Sequence, residues 1–245
     1  MKFFKRLLLA VLFIYLLPAL ASAGWWYVKE RPGNWREADW SSANILPKPK
    51  ASDEAAIYIF SATTGGMKGA VASHSWIVTK GKGETTYNRY DKVGWGSPVR
   101  RNAYVADARW YSNTPNLVVS VKGEEAARLI PKIEQAIQSY PYSKPGAYRI
   151  WPGPNSNTFV AHVLRSVPEL GTVLPPDAVG RDYLPEGRLF SIDADGLDMH
   201  ATLYGLLGIS AGARSGLEVH FMGLVAGFDV MHPAIKIPAL GRFGI

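Results

Sequence analysis

Two side chains in this sequence have the types and surroundings needed for acyl transfer. Ser156 lies in WPGPNSNTFVAHVL, where turn-forming Pro, Gly and Asn precede an apolar pattern of helical period. A nucleophile in the first turn of a helix gains from the helix dipole and from unpaired backbone N–H groups, which stabilise negative charge on oxygen. Asn155 and Asn157 would offer amide donors to a substrate. On local sequence alone an ordinary helix cap explains these residues better, because Ser and Asn are preferred N-cap residues.

The matching base is His74, in the alternating stretch AVASHSWIV. An imidazole that projects from a strand beside a helix N-terminus suits proton transfer, provided that a third group fixes its tautomer. His162 lies six residues beyond Ser156 and points from another part of the same helix, which indicates packing. The remaining histidines, His200, His220 and His232, lack metal-binding spacing. We therefore expect no metal and no other cofactor.

Two further groups of residues have alternative interpretations. Trp76 and Trp95 would line a cleft for an acyl chain or a sugar ring, although aromatic residues in strands more often pack in a core. The aspartates of SIDADGLDMH have spacing that hints at a calcium loop but lack the later Glu of an EF-hand. A polar turn explains them adequately.

The N-terminus predicts export from the cytoplasm. A basic patch precedes an apolar run from Leu7 to Leu20 and the small-residue triplet ending at Ala23, which is the order of a signal peptide. Counted on through Val28, the segment has about 22 mostly apolar residues, enough for an uncleaved membrane anchor. Residues 1–23 are thus a signal peptide or an anchor. Both place the remainder in the periplasm, either free or anchored to the inner membrane and facing the periplasm.

Composition excludes several classes of function. Without the first 23 residues the formal charge falls from +7 to +4, with 24 basic against 20 acidic residues and no basic cluster. Nucleic-acid binding is therefore not expected. The chain has no cysteine, which excludes disulfides, a thiol nucleophile and a Cys-ligated metal.

The patterning predicts an α+β fold. Residues 24–53 form an extended lead in which Trp35 and Trp40 would dock on the domain, and residues 54–245 form a single α+β domain. Strands are expected at 55–60, 69–79, 84–93, 101–106, 116–121 and 147–151. Two main helices, 123–140 and 157–167, would pack on this antiparallel sheet. The last 45 residues predict a Gly-rich β region.

The strand with His74 and the later NSNTF segment resemble circularly permuted papain-like folds. These include the NlpC-type amidases, the PPPDE peptidases and the lecithin retinol acyltransferase group. The resemblance implies a permuted papain-like core, with Ser156 where those enzymes carry Cys, and an orienting group on the strand after His74. Thr86, Asn88 and Asp91 are the candidates there. We prefer Asn88, because its amide oxygen can accept the imidazole N–H.

A second resemblance covers nearly all of the chain after the N-terminal segment. The stretches ADWSSANILP, SHSWIV, RYDKVGWG, WPGPNSNTF and GRDYLPEG are similar to an uncharacterised bacterial family, domain of unknown function 3750. This family brings no established activity.

Two functions follow as hypotheses. The first is a cell-envelope hydrolase or acyltransferase acting on an amide or ester, in which Ser156 attacks, His74 moves the proton and Asn88 orients it. The second is a non-catalytic envelope protein that binds a lipid or a peptidoglycan fragment in a degenerate papain-like cleft. The expected partners are the same in both cases, with membrane association through the N-terminal segment.

Overall fold

The structure is a computed structural model that describes residues 2–95 and 99–244. An N-terminal helix comprises α1 (Lys2–Val11), a π-helical turn (Leu12–Leu16) and α2 (Leu17–Val28), and α3 (Gly123–Gln138) and α4 (Ser156–Ser166) follow later. The first sheet contains β1 (Ala56–Thr63), β2 (Ser73–Lys80), β3 (Asn88–Asp91), β4 (Arg100–Arg101) and β5 (Asn116–Lys122). The second contains β6 (Phe190–Ile192), β7 (Asp198–Leu203), β8 (Leu207–Gly212), β9 (Gly216–Phe221), β10 (Leu224–Asp229), β11 (Ala234–Ile237) and β12 (Gly241–Gly244).

The first sheet confirms the α+β prediction. Its strand order is β4-β3-β2-β1-β5, and each neighbouring pair is antiparallel. One face carries Ile57, Ile59 and Ile77 and is covered by α3 and α4, which form the main core with it. The other face carries Tyr58, Phe60 and Trp76 in an aromatic cluster. The two helices thus cover one face only, and aromatic side chains cover the other.

Several predicted element boundaries differ from those observed. The second strand begins at Ser73 rather than Gly69, because Gly66–Ala70 forms a 3-10 turn instead. The predicted strand 84–93 is reduced to β3, and no strand forms at 147–151. Pro131 lies inside α3 without ending it. The second main helix begins at Ser156, one residue before its predicted start.

The Gly-rich β region forms the second sheet. Its seven strands follow one another in chain order, and each is antiparallel to its neighbours. A buried ionic cluster joins this sheet to the loop after α4: Arg181 and Asp182 from the loop meet Glu218 and His220 of β9 and Lys236 of β11. These ion pairs explain why the inward face of the sheet is polar although it is buried.

The N-terminal helix contacts the second sheet and the turn between β1 and β2. Tyr15 donates a hydrogen bond to the carbonyl of Val219 in β9 (2.8 Å), and Trp26 Nε1 donates to the carbonyl of Gly66 (2.8 Å). A Cβ atom on Gly69 would lie 2.4 Å from the Trp26 ring, so this residue must be glycine for the helix to pack there. The helix Lys2–Val28 is long and apolar enough to cross a membrane, which is compatible with either an anchor or a signal peptide.

The lead after the N-terminal helix docks as expected through Trp40. Its ring stacks on Tyr104 (centroids 5.6 Å apart) and meets Trp110 edge-on (5.1 Å). Ser42 forms an isolated β-bridge with Ala108. Trp40 is half-buried and Trp35 stays 58% exposed, so only one of the two lead tryptophans packs on the aromatic cluster.

Candidate active site

His74 and Ser156 line the same pocket, which has a volume of about 640 Å³. The pocket lies where β2 begins and where α4 begins, and its rim carries the exposed aromatic side chains Trp95 and Trp151. His74 is 4% exposed and Ser156 is 3% exposed. Both polar groups are therefore nearly enclosed, and both belong to one apolar-rimmed cavity.

A hydrogen bond beside the two residues fixes their proximity. Asn157 Nδ2 donates to the carbonyl of Ser73 (2.9 Å), so the residue after Ser156 is tied to the residue before His74. It also donates to the carbonyl of Val179 (2.9 Å). Within the described residues, no hydrogen bond joins His74 directly to Ser156. The helix start and the strand start are thus held together while the two functional groups stay unpaired with each other.

His74 is oriented by a buried carboxylate. Its Nε2 lies 2.9 Å from Asp91 Oδ1, and both oxygens of Asp91 accept hydrogen bonds from the Arg89 guanidinium (2.7 and 2.9 Å). The ring of Trp110 stacks on the imidazole, with centroids 3.8 Å apart and planes 10° apart. The imidazole is held at one nitrogen and along one face, so its orientation is fixed before any ligand binds.

The charges in this group favour a neutral imidazole. Burial lowers the pKa of His74 below its usual value, and the hydrogen bond and charge of Asp91 oppose this without reversing it. Burial opposes ionisation of Asp91, but the charge of Arg89 and the hydrogen bonds from His74 and Arg89 outweigh it and lower its pKa. Because an ionised Asp91 accepts the Nε2 proton, Nδ1 carries the free lone pair. His74 therefore has the protonation state of a general base.

The orienting residue differs from the sequence-based preference. Asn88 pairs with Thr79 in the β2–β3 register. Trp76, which pairs with Phe60 of β1, is two residues from His74 on β2 and shares its face. Side chains alternate between the faces of a strand, so Asn88 lies on the opposite face from His74 and Asp91 lies on the same face. Asn88 instead accepts hydrogen bonds from Arg101.

Ser156 is not the helix cap. Asn155 is the N-cap: its Oδ1 accepts from the backbone N–H groups of Asn157 (2.9 Å) and Thr158 (3.1 Å). The Thr158 hydroxyl in turn accepts from the N–H of Asn155 (3.0 Å), which completes a capping box. Ser156 is the first residue of α4, and its hydroxyl is not used to cap the helix.

The flanking amides have structural roles that the sequence interpretation did not foresee. Asn155 Nδ2 donates to the carbonyls of Ile150 and Val179, each at 3.0 Å. Both donors of Asn157 are also occupied, by Ser73 and Val179, and its Oδ1 is buried without a partner among the described residues. Neither amide has a free N–H for a substrate oxygen. Asn155 and Asn157 thus shape the site rather than supply donors.

Tyr148 is a member of the site that sequence reasoning missed. It lines the pocket beside Ser156. Burial raises the pKa of Tyr148, and the nearby hydroxyl and backbone N–H of Ser156 oppose the rise. The phenol therefore stays protonated at neutral pH and can donate its O–H to a ligand. No local pattern around Tyr148 indicated this role, because the segment 147–151 reads as a strand.

One comparison with known proteins identifies the family of this chain. The model of the family described as Protein of unknown function (DUF3750) matches residues 54–183. This chain belongs to the DUF3750 family. No curated protein and no solved structure matches it. The matched part of the DUF3750 chain includes the first sheet, α3, α4 and all of the site residues described above, and it ends before the second sheet.

Of the two tryptophans predicted to line the cleft of this DUF3750 protein, only one lies at the pocket. Trp95 is 53% exposed and lines the pocket. Trp76 is fully buried in the aromatic cluster, where its Nε1 donates to the carbonyl of Ala106 (2.8 Å). Trp76 therefore packs in the core beside the site and does not line the pocket. The aromatic residue that contacts His74 most closely is Trp110, which no local pattern indicated.

Two acidic clusters elsewhere in the DUF3750 chain are occupied by cationic side chains. Arg214 forms ion pairs with Asp193, Asp195 and Asp198, so a guanidinium takes the place that a calcium ion would occupy. Asp182, Glu218 and His220 lie close enough to coordinate one ion together. However, Glu218 already binds Arg181 and Lys236. A divalent cation there would face two buried positive charges, so this set fits a metal poorly.

Proposed function

We propose that this protein is a cell-envelope hydrolase or acyltransferase that acts on an amide or ester through Ser156 and His74. The observation that carries the proposal is the pocket shared by Ser156 and an imidazole already oriented by Asp91. The chain order, with the histidine strand first, the acidic strand second and the helix-borne hydroxyl last, is the order implied by the resemblance to permuted papain-like enzymes. Asp91 takes the orienting role.

In the proposed reaction, Ser156 Oγ attacks the carbonyl carbon while His74 Nδ1 accepts its proton. His74 then returns this proton to the leaving group, and water or a second acceptor releases the acyl group. The Tyr148 hydroxyl and the Ser156 N–H are the donors available to hold the oxyanion.

The alternative is a binding protein that uses the same pocket. The N–H groups of Asn157 and Thr158 are occupied by the Asn155 cap, so the helix start offers fewer oxyanion donors than a bare N-terminus would. Serine in place of the papain-like cysteine is also a weaker nucleophile. In this case the apolar rim would hold an acyl chain or a wall fragment, and Tyr148 would bind its polar end.

The proposed location is the periplasmic side of the cell envelope. The contacts of Trp26 with Gly66 and Gly69, together with the hydrogen bond from Ser22 to the carbonyl of Ala70 (2.5 Å), favour a retained anchor over a cleaved signal peptide. An anchor would keep the pocket close to lipids, lipoproteins and the peptidoglycan, which are the expected partners.

Covalent labelling tests the enzymatic proposal. A fluorophosphonate probe should label the full-length protein at Ser156, because a neutral His74 can remove the serine proton. Labelling should disappear in Ser156→Ala and fall by roughly 10²–10⁴-fold in His74→Ala, the usual contribution of a general base. The rate of probe incorporation, with the modified residue located by mass spectrometry, gives both values.

Ser166→Ala is the matched control. Ser166 is exposed at the opposite end of α4, so its loss should leave labelling unchanged. Absence of labelling in the folded wild-type protein, or a rate that does not depend on His74, would contradict the enzyme and leave the binding protein as the better explanation.

A further inference from the structure

The second sheet has an amphipathic pattern with an apolar outward face. Side chains alternate between the two faces of each strand, and the register places Met199, Ile209, Leu217, Val219 and Phe228 on the same side. Within residues 190–244, all of which the structure describes, every outward strand position from Phe190 to Phe243 is Phe, Ile, Leu, Met, Val or Ala, apart from Gly241. No charged side chain lies on this face.

The polarity of the sheet is the reverse of that expected in water. The inward face buries Asp198, Ser210, Glu218, His220 and Lys236. The outward apolar side chains are about half exposed, for example Ile209 (54%) and Ile235 (51%). Antiparallel sheets that contact water on one face normally place the apolar residues inward. The outward face therefore needs an apolar environment of its own.

The extent of this face supports the same conclusion. Seven strands of up to six residues cover about 30 by 20 Å, or roughly 600 Å². This is at the upper end of the largest apolar patch of a typical monomer, about 300–600 Å². Patches of this size mark sites of interaction with proteins or membranes.

The N-terminal helix indicates which environment covers the face. Tyr15, halfway along Lys2–Val28, packs on Phe221 with ring centroids 5.3 Å apart and hydrogen bonds to the Val219 carbonyl. Most of the other apolar side chains of the helix are exposed, including Leu8 (63%) and Phe13 (60%). A segment long enough to cross a bilayer is thus continuous with the apolar face of the sheet.

We propose that the outward face of the second sheet is a membrane-docking surface that lies against the phospholipid bilayer beside the N-terminal helix. The turn between β9 and β10 connects this surface to the pocket, because Met222 lines the pocket and its carbonyl accepts a hydrogen bond from Trp151 Nε1 (3.0 Å). Docking brings the pocket rim to the lipid surface. The proposal stands whether the pocket catalyses a reaction or only binds a ligand.

The absence of cysteine permits a direct test on the full-length protein. Single variants Ile209→Cys, Leu217→Cys and Ile235→Cys are labelled with the environment-sensitive fluorophore NBD and reconstituted into phosphatidylethanolamine–phosphatidylglycerol vesicles. Leu9→Cys reports the N-terminal helix, and Glu124→Cys, whose side chain is 88% exposed on α3, reports a surface in water. Emission wavelength and quenching by doxyl-labelled lipid are measured on vesicle-bound protein.

The sheet labels should emit at shorter wavelength than the Glu124→Cys label and be quenched severalfold by doxyl lipid, as the Leu9→Cys label is. Emission typical of water at the three sheet positions would overturn the proposal. Blue-shifted emission that doxyl lipid does not quench would also overturn it, because a second copy or another protein would then cover the face.

Discussion

At the scale of single residues, the orientation of His74 depends on which side chains of β3 lie on its face of the sheet. Asp91 and Asn88 are three residues apart on β3, yet only Asp91 reaches His74, because an odd separation places the two side chains on opposite faces of the sheet. Arg89, two residues from Asp91, shares its face and holds the carboxylate ionised. His74, Asp91 and Arg89 therefore form one buried, hydrogen-bonded row.

Removal of the Asp91 charge should impair His74. In Asp91→Asn we expect the labelling rate of Ser156 to fall by roughly 10²–10⁴-fold, because the tautomer is no longer fixed. In the wild type, the rate should rise with pH to a plateau with a midpoint below 6.5, because burial lowers the pKa of His74. The measurement is the labelling rate as a function of pH.

Asn88→Ala serves as the comparison, since its side chain faces away from His74. It should retain the wild-type rate and midpoint. A larger loss in Asn88→Ala than in Asp91→Asn would show that the orienting role is assigned to the wrong residue.

At the scale of elements, the start of α4 is the feature that organises the pocket. The Asn155 side chain caps the helix and also binds the carbonyls of Ile150 and Val179, which joins three segments of chain. Gly180 makes room for it, because a Cβ atom there would lie 2.3 Å from Asn155 Nδ2. Ser156 is therefore positioned by its neighbour rather than by its own hydrogen bonds.

Asn155→Ala should lower the free energy of unfolding by about 1–3 kcal/mol, through the lost cap and the lost hydrogen bonds to the carbonyls of Ile150 and Val179. Asn155→Asp separates these causes: it keeps the cap acceptor but cannot donate to Ile150 and Val179. Urea unfolding followed by circular dichroism gives the values. Equal stability of Asn155→Ala and the wild type would rule out this account of the helix start.

At the scale of the whole molecule, buried charges attach the second sheet to the first part of the fold. Burial disfavours the charged form of His220, but the carboxylates of Asp182 (2.7 Å from Nδ1) and Glu218 (3.4 Å from Nε2) outweigh this and raise the pKa to about 9. Asp182 lies on the loop after α4, and His220 lies on β9. The attachment thus depends on a protonated imidazole at neutral pH.

This attachment should weaken in alkaline solution. A raised pKa in the folded state stabilises the protein fully below the unfolded value of 6.5, and the contribution is lost as pH rises through about 9. The shift corresponds to roughly 3 kcal/mol. Thermal unfolding at pH 6 and pH 10 should therefore show a lower midpoint at pH 10, and His220→Gln should reduce this difference.

His232→Gln is the control, because His232 is exposed and outside the ionic cluster. It should keep the pH dependence of the wild type. If His220→Gln keeps it as well, another group is responsible for the alkaline loss of stability.

The sequence by itself determined the apolar N-terminal helix, the α+β class and the start of α4 within one residue. These follow from local patterns: apolar period, turn residues and capping preferences act between residues close in the chain. Only the tertiary structure decided that Asp91 rather than Asn88 binds His74, that Trp110 and Tyr148 join the site, and that the second sheet turns its apolar face outward. These depend on strand register and on contacts between distant segments, which no local pattern encodes.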